Sequence, residues 1–333
     1  MNISIIGGGA WGTTLALALS DNKHNVLIRD INELFVNKIN NEHSHPYFNV
    51  ELPHDIKATL SLEEALNHSK YIVLCVPTKA MRNVLMEIKP LLNEKKLFIN
   101  VSKGIEPETS YRISEVVSDV IPEEFIEGFV ALSGPSHAEE LIKRKLTSLV
   151  AASTNNDAAI MVQKIFSNEQ YLRVYTSDDV IGVETGGAIK NAIAIVSGIA
   201  SGLDLGENAR AFLITRGLKE IVMIITALGG KLHTAYGLSG VGDLIVTASS
   251  MNSRNFQCGL RIGQGMSVDE AIGDIAQSVE GVRAILAAHE IAVKYDLDLP
   301  IIELAYKLVI NEISAKDAVS ILLSRSLKSE IYW

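Results

Sequence analysis

The sequence predicts an α/β fold, in which a doubly wound parallel sheet fills the first half of the chain and an all-helical unit the second. Three observations carry this. Seven of the eight prolines (Pro46, Pro53, Pro77, Pro90, Pro107, Pro122 and Pro135) fall in the first 135 residues, leaving Pro300 alone in the rest. Proline breaks helix interiors, so long helices are open to the second half and closed to the first. The first half also alternates β-rich runs with stretches of helical spacing, the pattern of parallel strands joined by crossovers. Finally, single cores stop growing near ~250 residues, and this chain has 333. The expected division is 1–185 and 186–333.

Taken in order, the first run, residues 3–6, passes into Gly7-Gly8-Gly9-Ala10-Trp11-Gly12 and then an apolar helical stretch. Gly7, Gly9 and Gly12 form G-x-G-x-x-G between strand and helix. The glycines there allow a tight turn, close approach of backbone to a pyrophosphate, and close packing of helix on strand. The helix N-terminus adds amides and a dipole that favour anions. A dinucleotide site is expected. The second run, 26–28, ends in Arg29-Asp30, at the distance of the ribose-reading residue. A carboxylate there favours NAD and a guanidinium NADP. Both are present, and because Arg29 sits nearer the strand end, acceptance of NADP(H) is expected.

Ser61 and Glu64 form a capping box that starts a helix at about Leu62. A strand follows at 71–76, and Met81, Val84, Leu85 and Ile88 then recur at the spacing of a helix packed on a sheet. Further strands are expected at 97–101, 129–132 and 148–152, and long helices at 188–200 and 210–228.

The totals exclude several function classes. A formal charge of −9 gives no broad positive field for nucleic acid or an anionic membrane, so phosphate recognition must be local. Two cysteines, Cys75 and Cys258, show no metal or redox spacing, which suits a reducing, cytoplasmic setting. The apolar run 221–228 is far shorter than the ~20 residues of a membrane span, so no membrane insertion is expected. The first lysine is Lys23, which argues against a secretory leader. No histidine pairing suggests a metal, and Ser133-Gly-Pro-Ser136-His137 lacks the elbow of a serine hydrolase. His137 reads as a helix-start or surface residue.

Three cations stand in unusual settings. Lys103 follows strand 97–101, at the end where open α/β sheets bind ligands. Lys190 is the one charge between residues 185 and 196, and is either a snorkelling side chain or a group held in a site. Arg254 lies in Asn252-Ser253-Arg254-Asn255, after Gly240-Val-Gly-Asp243.

The segments GGGAWGTTLA, CVPTKA, VSKG, LSGPSHAEE, GVETGGAIKNAIAI, GLSGVGDLIVT, NSRN and VEG, in this order and at these distances, closely resemble the bacterial NAD(P)-dependent glycerol-3-phosphate dehydrogenases. The resemblance runs from about residue 3 to about 325, and GGAIKN, GVGDLI and SRN are its most specific parts. It implies a Rossmann-type N-terminal domain, a helical C-terminal domain, an active site between them, NADP or NAD as cofactor, and a homodimer. The implied reaction is reversible reduction of dihydroxyacetone phosphate to sn-glycerol 3-phosphate, a phospholipid precursor. It also implies that Lys190 is the acid/base lysine, with Lys103, Asn191 and Asp243 beside it. Gly134, Ser136, Ser253, Arg254 and Asn255, with Lys103, Lys190 and Asp243, match substrate contacts. Cofactor contacts correspond to Gly7, Gly9, Ala10, Trp11, Gly12, Arg29, Lys103, Ala138, Arg254 and Glu280. Ala10 stands where many relatives have Ser or Thr, and Ser136 where some have Thr. The pairing of SRN with GGAIKN weighs against 3-hydroxyacyl-CoA, 6-phosphogluconate and ketopantoate enzymes. Cys75, in an apolar strand, reads as core rather than as the nucleophile of a UDP-sugar dehydrogenase. The retained lysines weigh against a non-catalytic NADPH sensor.

Residue chemistry agrees with that reading. Hydride addition to a ketone builds negative charge on oxygen, which a nearby ammonium stabilises and protonates. Burial and the charges of Lys103 and Arg254 are expected to lower the Lys190 pKa, and Asp243 to oppose them.

Overall fold

The computed structural model describes residues 1–107, 109–275, 278–327, 329 and 330. Eight strands form one sheet: β1 (Asn2–Ile6), β2 (Asn25–Arg29), β3 (Lys57–Thr59), β4 (Tyr71–Leu74), β5 (Lys96–Asn100), β6 (Ile126–Ser133), β7 (Thr147–Ala152) and β8 (Leu172–Ser177). Their order is β3-β2-β1-β4-β5-β6-β7-β8. Helices α1 (Ala10–Asp21), α2 (Glu33–Asn37), α3 (Leu62–His68), α4 (Thr78–Ile88), α5 (Ile113–Val120), α6 (Ala138–Leu141) and α7 (Asn156–Phe166) connect them.

Neighbouring residues of the central strands face opposite ways, as the period of a strand requires. Ile72, Leu74 and Phe98 enter the cluster that includes Met81, Leu85 and Ile88 of α4. Val73, Leu97 and Ile99 enter the cluster on the other face, with Leu15 and Leu19 of α1. Helices therefore cover both faces, as a parallel sheet needs. Ser61 caps α3 by accepting from the Glu64 amide at 3.1 Å, a contribution of ~1 kcal/mol. The Glu64 carboxylate does not reach back to Ser61; it accepts from Thr59 Oγ1 at 2.5 Å.

The sheet differs from expectation in three respects. β3 has only three residues, Lys-Ala-Thr, too short for a periodic signal. β8 is an edge strand whose buried Leu172 and Val174 alternate with exposed positions. β7 pairs antiparallel to β6, because the connection between them holds just the four-residue α6 and no full crossover helix.

After Ser177 the described chain is helical: α8 (Val180–Gly202), α9 (Gly206–Ala227), α10 (Asp243–Ser249), α11 (Arg254–Gly263), α12 (Val268–Gly273), α13 (Gly281–Tyr295), α14 (Pro300–Val309) and α15 (Ala315–Ser324). The expected division at 185/186 lies inside α8. This helix is long and apolar enough to cross a bilayer, more so than run 221–228, but 89% of its most apolar window is buried by protein. It is apolar all round because α9, α10, α11 and α13 surround it. Glycines set its closest crossing. A Cβ at Gly198 would lie 2.2 Å from Phe256 O, and one at Gly259 of α11 would lie 2.0 Å from Ile195 O. Backbone meets backbone there, which brings the start of α11 against the middle of α8.

Candidate active site

The order of the sheet reverses at β1, between β2 and β4, and ligands of open α/β sheets bind outside the carboxyl ends of strands at such a point. A cleft of ≈ 580 Å³ opens there, walled by the turn after β1, the ends of β4 and β5, and helices α8, α10 and α11.

One end of the cleft is the glycine turn. Gly7 has φ +113°, a conformation that favours glycine. A Cβ at Gly12 would lie 1.9 Å from Gly7 O, whereas one at Gly9 would meet nothing within 4 Å and so faces the open cleft. Gly9 caps α1 without a side chain, so the first-turn amides of the helix face the cleft. The turn is fastened from behind: the Gly8 amide donates to Asp30 Oδ2 at 2.6 Å, and its carbonyl accepts from Thr13 Oγ1 at 3.0 Å, with His45 Nε2 at 2.9 Å. Asp30 also accepts from the Asn32 amide at 2.8 Å, so its carboxylate is largely spent on backbone. Arg29 lines the cleft with a buried, unpartnered Nε, and its Nη2 lies 3.7 Å from Glu87. This cradle, with a guanidinium beside it whose Nε has no partner, fits a dinucleotide diphosphate.

The other end is built on Asp243, which is 1% exposed. Its Oδ1 accepts from Lys190 Nζ at 2.5 Å and its Oδ2 from Lys103 Nζ at 2.8 Å. Lys190 also donates to Thr247 Oγ1 at 2.6 Å, and Lys103 to Gly134 O at 2.8 Å and Ser136 Oγ at 3.1 Å. Lys190 is thus held in a site rather than snorkelling. Burial pushes its ammonium down to about 7; Asp243 opposes the shift, while Lys103 and Arg254 add to it. The two ammonium ions hold the Asp243 carboxyl below its usual range despite burial. Arg254 opens α11, with Ser253 as its cap accepting from Phe256 N at 3.2 Å. Asn255 donates to Asn191 Oδ1 and accepts from the Gly281 amide, both at 2.9 Å. Two ammonium ions, Lys103 and Lys190, thus meet on the single Asp243 carboxylate, a local excess of positive charge in a chain of net charge −9, while Arg254 faces Glu139 and Glu280.

Models of the NAD-dependent glycerol-3-phosphate dehydrogenase family match this chain over residues 2–159 for the N-terminal part and 179–320 for the C-terminal part. The chain belongs to that family. It is 56% identical to glycerol-3-phosphate dehydrogenase [NAD(P)+] of Acholeplasma laidlawii and 47% identical to that of Phytoplasma mali, each alignment covering 99% of both chains. The crystal structure of glycerol-3-phosphate dehydrogenase from Coxiella burnetii is 34% identical, with a TM-score of 0.91 over 97% of this chain and 99% of that one.

In this family member, Gly7, Gly9, Ala10, Trp11, Gly12, Arg29, Lys103, Ser136, Ala138, Lys190, Asn191, Asp243, Ser253, Arg254, Asn255 and Glu280 all line the one cleft. Gly134 lies a layer behind, reaching the site through its carbonyl on Lys103. His137 starts α6 and also lines the cleft, its Nε2 3.3 Å from Val246 O. Cys75 is not interior to a strand: β4 ends at Leu74, and Cys75 lines the cleft below Gly12, where burial pushes its thiol up to about 12. Sequence reasoning missed Thr247, although Asp243 and Thr247 are one turn apart and share a helix face. It also missed the wall of Phe35 and Tyr47, whose rings lie 5.7 Å apart.

Proposed function

We propose that this chain reversibly reduces dihydroxyacetone phosphate to sn-glycerol 3-phosphate with NADPH or NADH, supplying the glycerophospholipid backbone. The observation that carries this reading is the Lys190–Asp243–Lys103 bridge lying in the same cleft as the glycine turn. When bound, NADPH or NADH would supply the hydride that the carbonyl carbon receives. Lys190 gives its proton to the carbonyl oxygen as negative charge grows there, and takes it back in the oxidative direction. Asp243 and Thr247 aim the ammonium. Lys103, beside Ser136, adds a second positive charge next to the same oxygen. Asn191 ties the lysine helix to Asn255. Arg254, with Ser253 and Asn255 at the head of α11, receives the phosphate, since a guanidinium fork matches its oxygens. Arg29 receives the 2′-phosphate of NADP(H), as the Asp30 carboxylate is engaged with the amides of Gly8 and Asn32. A homodimer and a cytoplasmic setting belong to the same proposal.

Reduced cofactor followed optically with the purified protein tests the reading. Turnover is expected with dihydroxyacetone phosphate, at least about 10²-fold more efficient than with unphosphorylated dihydroxyacetone, because the latter leaves buried phosphate donors unpaired. Equal efficiency, or no turnover, would contradict it.

A further inference from the structure

Lys103 stands at the head of a connection, residues 101–112, between β5 and α5. The three residues after it alternate in direction. A Cβ at Gly104 would lie 2.3 Å from Thr78 Oγ1 in the first turn of α4, so the backbone rests against that helix. Ile105, 4% exposed, turns the other way and joins the core of the helical unit. Glu106, 3% exposed, turns back to α4, where Arg82 grips it with two bonds of 2.8 Å, Nε to Oε1 and Nη2 to Oε2. Thr78 and Arg82 are four residues apart and so share one face of α4. That face is a two-point seat for the connection. Thr109 Oγ1 donates to the same carboxylate at 2.5 Å, and the free arm of Arg82 reaches Asp119 of α5 at 2.5 Å. The far end of the connection and the first turn of α5 are tied to the helical unit: the Ser110 hydroxyl donates to Glu290 of α13, and the Ser114 amide of α5 to Glu184 of α8 at 3.0 Å.

We infer that Glu106, gripped by Arg82, is a positioning residue that fixes the 101–112 connection so that Lys103 meets Asp243 across the cleft. The inference rests on the role proposed for Lys103. A lysine has a long, flexible stem, and its ammonium reaches Asp243, on the other side of the seam, only from a fixed backbone. Small misplacements of a group that orients substrate are costly in rate. A buried carboxylate without its partner is unfavourable, so the grip also resists loss of either member.

A double-mutant cycle tests this, with steady-state kinetics and a separate titration of NADPH by its fluorescence. Glu106→Gln is expected to lower kcat for ketone reduction at least about tenfold, with a smaller rise in KM for dihydroxyacetone phosphate and NADPH affinity kept within about twofold. In a Lys103→Ala background it should add nothing further, because its effect runs through Lys103. Arg82→Lys, at a partly exposed side chain, keeps the charge but loses the fork. It should show a weaker change of the same kind, and it reads the pair even where Glu106→Gln fails to fold. Additive effects in the double variants, or a matching loss of NADPH affinity, would overturn the inference. If that additivity accompanies a large effect of Lys103→Ala, the proposed function stands and the positioning role falls. If Lys103→Ala leaves the kinetics unaltered, the role proposed for Lys103 falls, and the positioning role with it.

Discussion

Lys190 owes its chemistry to where it is buried. At 4% exposure an ammonium loses most of its hydration, which favours the neutral form, and the result is a pKa of about 7. A group poised there exchanges protons in both directions near neutrality. The two directions need opposite forms, so kcat for ketone reduction should fall as pH rises through about 7, while kcat for alcohol oxidation should rise over the same range. Flat profiles in both directions would remove the role. Arg29 makes the second residue-scale prediction. Arg29→Ala should weaken NADPH at least about tenfold, the loss of a charge-assisted contact with phosphate, and leave NADH nearly unchanged. Equal effects on both cofactors, by direct titration, would contradict it. Lys103, Lys190 and Arg254 stood out in the sequence as cations at a strand end, in an apolar helix and in a polar turn, whereas Asp243 was marked through the resemblance. Thr247 and Tyr47 were not, since each is an ordinary residue given meaning only by what folding brings to it. Gly134, which matches a substrate contact in the family, does not line the cleft itself; its carbonyl accepts from Lys103.

At the scale of elements, the site depends on two helices meeting without side chains between them. Gly198 and Gly202 of α8 face Gly259 and Gly263 of α11, so that a Cβ at Gly263 would lie 2.4 Å from Ile199 O. This crossing carries Arg254, at the head of α11, toward Lys190 on α8. Gly259→Ala would put a methyl 2.0 Å from the Ile195 carbonyl, against backbone that cannot turn aside. It should destabilise the chain by about 1–3 kcal/mol, as overpacked cores do, and raise KM for the ketone phosphate more than Kd for NADPH. A stable variant with unchanged KM would show that the seam does not position Arg254. The sequence showed six strands of the sheet as β-rich runs, and both long helices of the second half. It hid β3, whose three residues carry no period, and β8, whose outward positions are polar. The antiparallel return of β7 was hidden as well, since strand direction is set by the length of helix between strands rather than by the strands themselves.

At the scale of the molecule, the sheet supplies an anion cradle and Lys103, the helical unit supplies Lys190 and Arg254, and the site exists only where they face each other. Asp243 joins them: one oxygen holds Lys103 from the sheet side and the other holds Lys190 from α8. The connection after β5 is fixed to both sides, with Glu106 on α4 and Ile105 in the helical core. The net negative charge of the chain is compatible with phosphate binding because Lys103, Lys190 and Arg254 all line the one cleft, where two of them share a single carboxylate. The most direct test is single-variant kinetics on Lys190→Ala with dihydroxyacetone phosphate and saturating NADPH. The predicted result is a kcat lower by at least about 10²-fold, the smaller end of what a general acid contributes, with NADPH affinity intact. Turnover close to that of the unaltered chain would contradict the account.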